Sequence, residues 1–241
     1  MVVTITPTAM NIKVLPPHSQ NSSLLKLMRL TSPSLPIGGY SYSQGLEFAV
    51  SSGWVHDSST ALDWIQGLLK HSLMNLDLPV FTRLYESWSR NDIEKISYWN
   101  EFLLASRDAS ELQEEDRQLG KALARLLVDL DLDEAKPFLL APYGCFLTLY
   151  SLAATRWNIS LDDAANGFLW MWAENKVLCA MKLIPLGQTD GQKILSVIIE
   201  SISQVIAHGL ALGDEDIGYA APGQGIASAL HETQYTRLFR S

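Results

Sequence analysis

The stretch ASRDASELQEEDRQLGKALARLLVDL, residues 105–130, decides the fold. Its apolar positions recur at intervals of three, four or seven residues, and this spacing places them on one stripe of an α-helix. The stripe consists of Ala109, Leu112, Leu119, Leu123, Leu126 and Leu130. A stripe of this kind predicts a helix that packs against a core.

Helical spacing continues on both sides of this stretch, and no convincing β-strand alternation interrupts the N-terminal half. Ser160 and Asp163 form a capping-box pattern that opens a further helix, and Pro185 ends it. The predicted helices before the deciding stretch cover residues 24–30, 44–51, 60–74, 78–89 and 92–106. The sequence therefore predicts an all-α fold.

The last long helix is predicted to begin at Thr189, which forms a second capping-box pattern with Gln192, and to end near Gly213. Apolar residues surround most of its circumference, which is typical of a helix buried on all sides. They include Ile194, Ile198, Ile202 and Val205. We expect this segment to be the central buried helix.

The most membrane-like stretch is residues 137–155, which contains no charged residue over nineteen positions. That length approaches the roughly 20 residues that a bilayer-spanning helix needs. However, Pro137, Pro142 and Gly144 shorten its reliable helical part, and tyrosine and hydroxyl side chains interrupt its apolarity. We expect a buried core helix here, and no membrane association.

The composition limits the compartment and the partners. The 241 residues are 47% hydrophobic and 18% charged, and 26 acidic against 18 basic residues give a formal net charge of -8. This balance argues against extended disorder and against a nonspecific nucleic-acid binder. Cys145 and Cys179 lie far apart and form no CxxC motif, which favours a reducing compartment. We expect a cytoplasmic protein.

The chain divides into an arm, a helical domain and a tail. Residues 1–23 are rich in Pro, Ser and Asn, lack the pattern of a signal peptide, and predict a flexible N-terminal arm. No repeat or long linker divides the remainder. Residues 24–241 are therefore predicted to form a single-domain bundle of about eight to ten helices. The bundle includes a C-terminal tail, residues 226–241.

Two apparent chemical motifs fail on spacing. Residues 187–193, GQTDGQK, resemble a phosphate-binding loop, but they are one residue short and Ile194 replaces the Ser or Thr that would bind Mg²⁺. His231 and Glu232 begin like a zinc-protease helix, but Tyr235 occupies the second histidine position. No pair among the five histidines has helical ligand spacing. We expect satisfied polar or core histidines, with a metal site shared across a symmetric dimer as the alternative.

An acidic run, residues 108–116, carries five carboxylates in nine positions. A solvated helix face is the prediction, and a partner-binding face is the alternative. The run also supports a second hypothesis for the whole chain, namely a helical enzyme that uses Glu114, Glu115 or Asp116 as acid and base. Such an enzyme would need a concave pocket and carboxylates of unlike pKa.

Two segments call for a binding function or a special structural role. In TSPSLPIGGYSYSQGLE, residues 31–47, the prolines and Gly38-Gly39 predict an ordered turn, and Ser41 with Gln44 forms a capping-box pattern. A rigid loop that seats Tyr40 and Tyr42 in the core and a binding loop both remain open. The final segment, HETQYTRLFRS, combines aromatic residues and arginines, which is an interface composition.

Four segments, in this order, resemble the UreF family of urease accessory proteins. They are PIGGYSYSQGLE, FLLASRDASELQEEDRQLGKAL, ENKVLCAMKLIPLGQTDGQ and ASALHETQYTRLFRS. The resemblance implies an all-helical, homodimeric chaperone for nickel insertion into urease that is not itself an enzyme. It also implies binding to UreD (also called UreH), recruitment of the GTPase UreG, and engagement of apo-urease. Nickel and GTP would be handled by these partners, and the chain would modulate the GTPase.

The resemblance also assigns roles to individual residues. The tail would bind UreD and become ordered as it docks, and the turn with Tyr40 and Tyr42 would help to form that surface. Glu47 and Lys182 match charged positions implicated in contact with UreG, although an ion pair or helix-surface charges would also explain them. The tail residues concerned are Tyr235, Arg237, Leu238, Phe239 and Arg240.

Overall fold

The structure is a computed structural model that describes residues 19–140, 144–218 and 221–241. Within those ranges the protein is helical and contains no strand, which confirms the predicted all-α bundle. The α-helices are α1 Ser19–Leu30, α2 Leu46–Ser51, α3 Ser58–Leu68, α4 Leu78–Arg90, α5 Ile93–Ala105, α6 Ser110–Asp129, α7 Pro137–Leu140, α8 Phe146–Arg156, α9 Leu161–Leu183, α10 Gln188–Ala211 and α11 Pro222–His231. Short 3-10 turns lie at Gly39–Ser41, Asp133–Ala135 and Asp214–Asp216.

Helices α3 and α4 form one continuous rod, joined by a π-helical segment, Leu69–Asp77. Counted with this rod as a single helix, the described ranges contain ten helices, within the predicted number. The predicted break between residues 74 and 78 is wrong, because the π-helical segment continues the helix through these positions. The rod begins with a capping box between Asp57 and Thr60 and ends at Asn91 in the left-handed conformation.

The N-terminal boundary differs slightly from the prediction. Helix α1 begins at Ser19, so residues 19–23 belong to a helix that packs on α9 rather than to an arm. Residues 1–18, the rest of the predicted arm, lie outside the described residues.

Helix α6 carries the deciding stripe and turns it toward the core, as predicted. Leu119, Leu123 and Leu127 are buried, and α6 packs against α8. Gly120 permits this close approach, because a Cβ atom at that position would lie 1.9 Å from the carbonyl oxygen of Gly144. The polar residues of the first turns of α6 point toward the end of the chain, where the candidate site lies.

Helix α8 is the central helix of the bundle. Every residue from 146 to 154 is buried, and α8 packs between α4 and α6. The prediction for residues 137–155 is therefore confirmed for α8, whereas α7 is a separate short helix and residues 141–143 lie outside the described residues.

The prediction that the last long helix is central is wrong. Helix α10 packs on α9, α4, α3 and the π segment, but Val197 and Ile199 on its other side are 39% and 49% exposed. In the described ranges α10 alone is long and apolar enough to cross a membrane, a property that core helices of globular proteins share. Apolar residues surround α10, but neighbouring helices cover only part of its circumference.

The two capping predictions for the long C-terminal helices have different outcomes. Ser160 caps α9, and its hydroxyl accepts a hydrogen bond from the Asp163 backbone N–H at 3.1 Å, as predicted. Helix α10 instead begins after Gly187 without a side-chain cap, so the pattern at Thr189 does not mark its start.

Candidate partner-binding site

Residues 226–231 of the predicted tail belong to α11, and the remainder, residues 232–241, is called the tail from here on. This tail folds back onto the loop and helix at residues 41–47. The backbone N–H groups of Leu238 and Phe239 donate to the two carboxylate oxygens of Glu47, at 2.6 and 2.8 Å. The N–H of Arg240 donates to the carbonyl oxygen of Ser41 at 2.8 Å. Glu47 is itself buried at the start of α2. The tail is thus held by its backbone, in a way that does not depend on side-chain packing alone.

Ser241 extends this pairing. Its main-chain oxygen accepts hydrogen bonds from the backbone N–H of Ser43 at 2.6 Å and of Gln44 at 3.1 Å, and from the Ser43 hydroxyl at 2.6 Å. Its own hydroxyl donates to Glu115 at 2.9 Å. These bonds give partners to backbone N–H groups of the turn that would otherwise have none.

The two tyrosines of the turn differ in burial, so each matches one of the two roles that the sequence left open, core anchor or binding surface. Tyr42 is buried, and Arg240 of the tail hydrogen-bonds its phenol, whereas Tyr40 is 62% exposed. Burial raises the pKa of the Tyr42 phenol, and the hydrogen bond from Arg240 opposes this shift. One tyrosine therefore anchors the loop to the tail, and the other is available to a partner.

The capping pattern predicted for this loop is wrong. Ser41 ends a 3-10 turn, and α2 starts after Gly45, which has a positive φ of 81° and no side-chain cap. The Ser43 hydroxyl instead accepts a hydrogen bond from the Glu47 backbone N–H at 3.3 Å. The side chain of Gln44 bridges Glu115 at 2.8 Å and the indole N–H of Trp172 at 3.0 Å.

A cluster of four ionisable side chains lies where the tail meets α2, α6 and α11, and we call it the tail clamp: Glu47, Glu111, His231 and Arg237. His231 is fully buried, with Nδ1 2.7 Å from Glu111 and Nε2 3.2 Å from Glu47. Arg237 donates to the other oxygen of Glu111 at 2.8 Å. The clamp joins α2, α6, α11 and the tail at one point.

Phe239 is the apolar anchor of the tail. Its ring is 5% exposed, and the ammonium group of Lys182 lies 5.5 Å from the ring centroid, within cation–π range. The tail thus contacts both residues that the family resemblance assigns to UreG binding. Glu47 binds the tail backbone, and Lys182 contacts Phe239. Their contact with a GTPase stays a prediction.

The prediction of a solvated acidic face is wrong for three of the five carboxylates in residues 108–116. Glu115 and Asp116 are buried, and the Glu111 side chain is 11% exposed, while Glu114 points to solvent. The reason is that α6 presents these carboxylates to the tail, to α11 and to Arg107 rather than to water. Sequence spacing alone does not reveal those partners.

An ion triad lies on the core side of the same helix. Arg107 donates to Asp77 at 2.7 Å and to Asp116 at 2.8 Å, and Asp116 also accepts from the N–H of Phe146 at 3.0 Å. Burial lowers the pKa of Arg107, but the two carboxylates outweigh burial and hold it above its ordinary value. The triad fixes α6 to the π segment and to the start of the central helix.

A cleft of about 150 Å³ lies between the loop 32–40, α6 and α9. Its wall is mostly apolar, but Glu115 and Lys176 also line it. Burial raises the pKa of Glu115, and the Lys176 ammonium and the bonds from Ser241 and Gln44 oppose that shift. This is the pocket that the enzyme hypothesis requires, yet its carboxylates Glu115 and Asp116 already hold the tail, the turn and Arg107.

Apolar side chains cover the outer side of α11 and the tail. Ile226 and Leu230, one helical turn apart on α11, are 53% and 44% exposed. Tyr235 is fully exposed, and Leu238 is 64% exposed although its backbone is held by Glu47. We call these four residues the outer face. Together they form an exposed apolar patch above the buried anchors of the tail.

The structure also identifies site residues that the sequence did not single out for this role. Glu111, Glu115, Ser43 and His231 all hold the tail or the turn. His231 fits the expectation of a satisfied histidine, because both ring nitrogens face a partner. In the part of the chain that the structure describes, no group of three or more His, Cys, Asp or Glu residues is arranged to hold a metal ion.

The fold and this site define an all-helical protein with a docked C-terminal tail and an apolar surface on it. A family model for UreF matches residues 55–198. The urease accessory protein UreF of Alkalilimnicola ehrlichii is 50% identical over 216 residues, which cover 90% of this chain and 95% of that protein. The UreF proteins of Teredinibacter turnerae and Hahella chejuensis are 48% and 46% identical over 92% and 91% of this chain.

The chain therefore belongs to the UreF family of urease accessory proteins. Membership gives it a role in urease maturation and implies an accessory rather than a catalytic function.

Proposed function

We propose that this chain is a cytoplasmic adaptor for nickel insertion into apo-urease. It acts as a homodimer, binds UreD (UreH) through its tail, and presents the resulting complex to the GTPase UreG. Nickel is the cargo of the process, and both nickel and GTP are handled by the partners. The chain itself turns over no substrate, and it modulates the GTPase of its partner.

The observation that carries this proposal is the division of the tail into an anchored side and an exposed side. Glu47, Phe239 and the tail clamp fix the backbone of the tail, while Tyr235 and Leu238 face outward. A rigid backbone that displays exposed aromatic and aliphatic side chains lowers the ordering cost of binding. Exposed Tyr40, on the turn that holds the tail, extends the same surface.

The proposed UreG contact involves Lys182 and Glu47. Lys182 lies near the end of α9 and touches Phe239, so a partner seated on the tail would approach the same edge of the protein. Glu47 is buried beneath the tail and would support this contact through the tail backbone.

A double substitution of the outer face tests the UreD surface. We expect Tyr235→Ser with Leu238→Ser to weaken UreD binding about 100-fold, because exposed aromatic and apolar anchors concentrate binding energy at interfaces. Neither side chain is buried, so the helical content and thermal midpoint should not change. Affinity is measured by isothermal titration calorimetry with purified UreD.

The matched control is Ile93→Ser with Tyr98→Ser on α5, where the two side chains are 65% and 58% exposed. This variant removes comparable apolar surface away from the tail and should bind UreD like the unmodified chain. Equal affinities for both double variants would show that UreD binds elsewhere.

A further inference from the structure

The protonation of His231 is constrained by its two neighbours. Its ring is fully buried, and each ring nitrogen faces a carboxylate oxygen, Nδ1 that of Glu111 and Nε2 that of Glu47. A neutral imidazole has one N–H donor, and a carboxylate is an acceptor, so only the doubly protonated ring donates to both partners. With both carboxylates ionised, the doubly protonated ring is the form that fits this geometry.

The same two carboxylates hold three consecutive tail residues. Glu47 accepts from the backbone N–H groups of Leu238 and Phe239, and Glu111 accepts from Arg237. Without the charge of His231, two nearly buried carboxylates would face each other across the ring. Leaving buried charges uncompensated is strongly unfavourable.

Other charged groups near His231 do not replace its cation. Arg237 is 41% exposed and already paired with Glu111, and Lys182 lies over the Phe239 ring. On α6 Glu115 accepts a hydrogen bond from Ser241, and Glu232, the residue after α11, accepts one from the hydroxyl of Ser110. Asp108 lies beside Gly225 at the start of α11. These further carboxylates add negative charge around the ring and supply no second cation.

We propose that His231 is a positioning residue for partner binding, and that its protonated ring holds the tail in the docked conformation. A ring that carried a single proton would turn one of the two hydrogen bonds into a contact between a lone pair and a carboxylate, and the tail would loosen. The link to partner binding rests on the proposed function, whereas the effect on the tail does not.

Amide hydrogen exchange of the tail tests this directly. We expect His231→Gln to raise the exchange rates of the Leu238 and Phe239 amides at least about tenfold at pH 6, since glutamine fills the space but carries no charge. His208→Gln is the control, because His208 is exposed on α10, and this change should leave these rates unchanged. Equal tail exchange in the His231→Gln variant and the unmodified chain would overturn the proposal.

The protonation of the ring can be observed directly in the unmodified chain. Nitrogen-15 NMR of the His231 ring at pH 6 should show a proton on both ring nitrogens. Should the His231→Gln variant fail to fold, this spectrum alone decides, and a lone pair on either nitrogen would contradict the proposal.

UreD binding, measured on the same variants, distinguishes this proposal from the proposed function. Weaker UreD binding by His231→Gln, together with faster tail exchange, supports both. Faster exchange with unchanged UreD affinity leaves His231 as the residue that positions the tail and removes the tail from the UreD surface. Unchanged exchange with weaker UreD binding contradicts the positioning role, while the tail surface stands.

Discussion

Replacing Arg107 with methionine should lower the free energy of unfolding by about 3–5 kcal/mol, because it leaves Asp77 and Asp116 buried without their common cation. Methionine preserves most of the side-chain length, so the change tests the charge rather than the volume. The loss is measured by urea denaturation followed by circular dichroism. Because the triad fixes the first turns of α6, tail binding at Glu111 and Glu115 should weaken as well.

Arg90→Met is the control for this experiment. Arg90 is 70% exposed and lies 3.7 Å from Glu86 on the same helix. Exposed ion pairs of this kind contribute about 0–1 kcal/mol. A loss of less than about 1 kcal/mol in Arg107→Met would mean that the triad does not hold α6 in place.

The second large effect is expected for Gly120→Ala. The added methyl group would lie 1.9 Å from the Gly144 carbonyl oxygen and 2.7 Å from its carbonyl carbon, so α6 and the backbone before α8 must separate. Overpacking of this kind destabilises proteins by about 1–3 kcal/mol or more. We expect a loss at the upper end, because backbone rather than a flexible side chain opposes the methyl group. Thermal unfolding measures it.

Gly67→Ala provides the matched comparison. Gly67 also lies within a helix, but a Cβ atom there would meet no atom within 4 Å. Alanine should therefore stabilise α3 by up to about 1 kcal/mol. Similar destabilisation of both variants would contradict the close approach of α6 to residue 144.

Local sequence signals predicted much of this fold. The stripe from Ala109 to Leu130 predicts both α6 and the face that it buries, and Ser160 predicts the start of α9. These signals are readable because they depend on residues one or two helical turns apart. The prediction that α10 is the central helix is wrong, because apolar residues around a helix do not show which of its sides are covered by neighbouring helices. On α10, Val197 and Ile199 remain exposed, whereas α8 is buried along most of its length.

The candidate site was predictable only in part. Aromatic and arginine content predicts an interface role for the tail, which stays a prediction, and Tyr42 and Phe239 are buried at contacts within the chain. The residues that hold the tail lie more than 100 positions away, such as Glu47 and Glu111, and no short spacing connects them. Local spacing therefore predicts a solvated face for the acidic run, residues 108–116.

The docked tail changes the expected order of events during partner binding. The sequence resemblance implied a tail that becomes ordered when it meets UreD, whereas here contacts within the chain already hold residues 237–241. A pre-formed tail would lower the entropic cost of association. Thermodynamic linkage then requires that UreD, if it binds only this conformation, also stabilises the tail against exchange.

The adaptor role is tested most directly by size-exclusion chromatography with light scattering of this chain together with UreD and UreG from the same source. The experiment is run with and without GTP and nickel. We expect a two-fold symmetric complex, with two copies of this chain and of UreD, that recruits UreG. A monomer that elutes apart from both proteins would contradict the adaptor role.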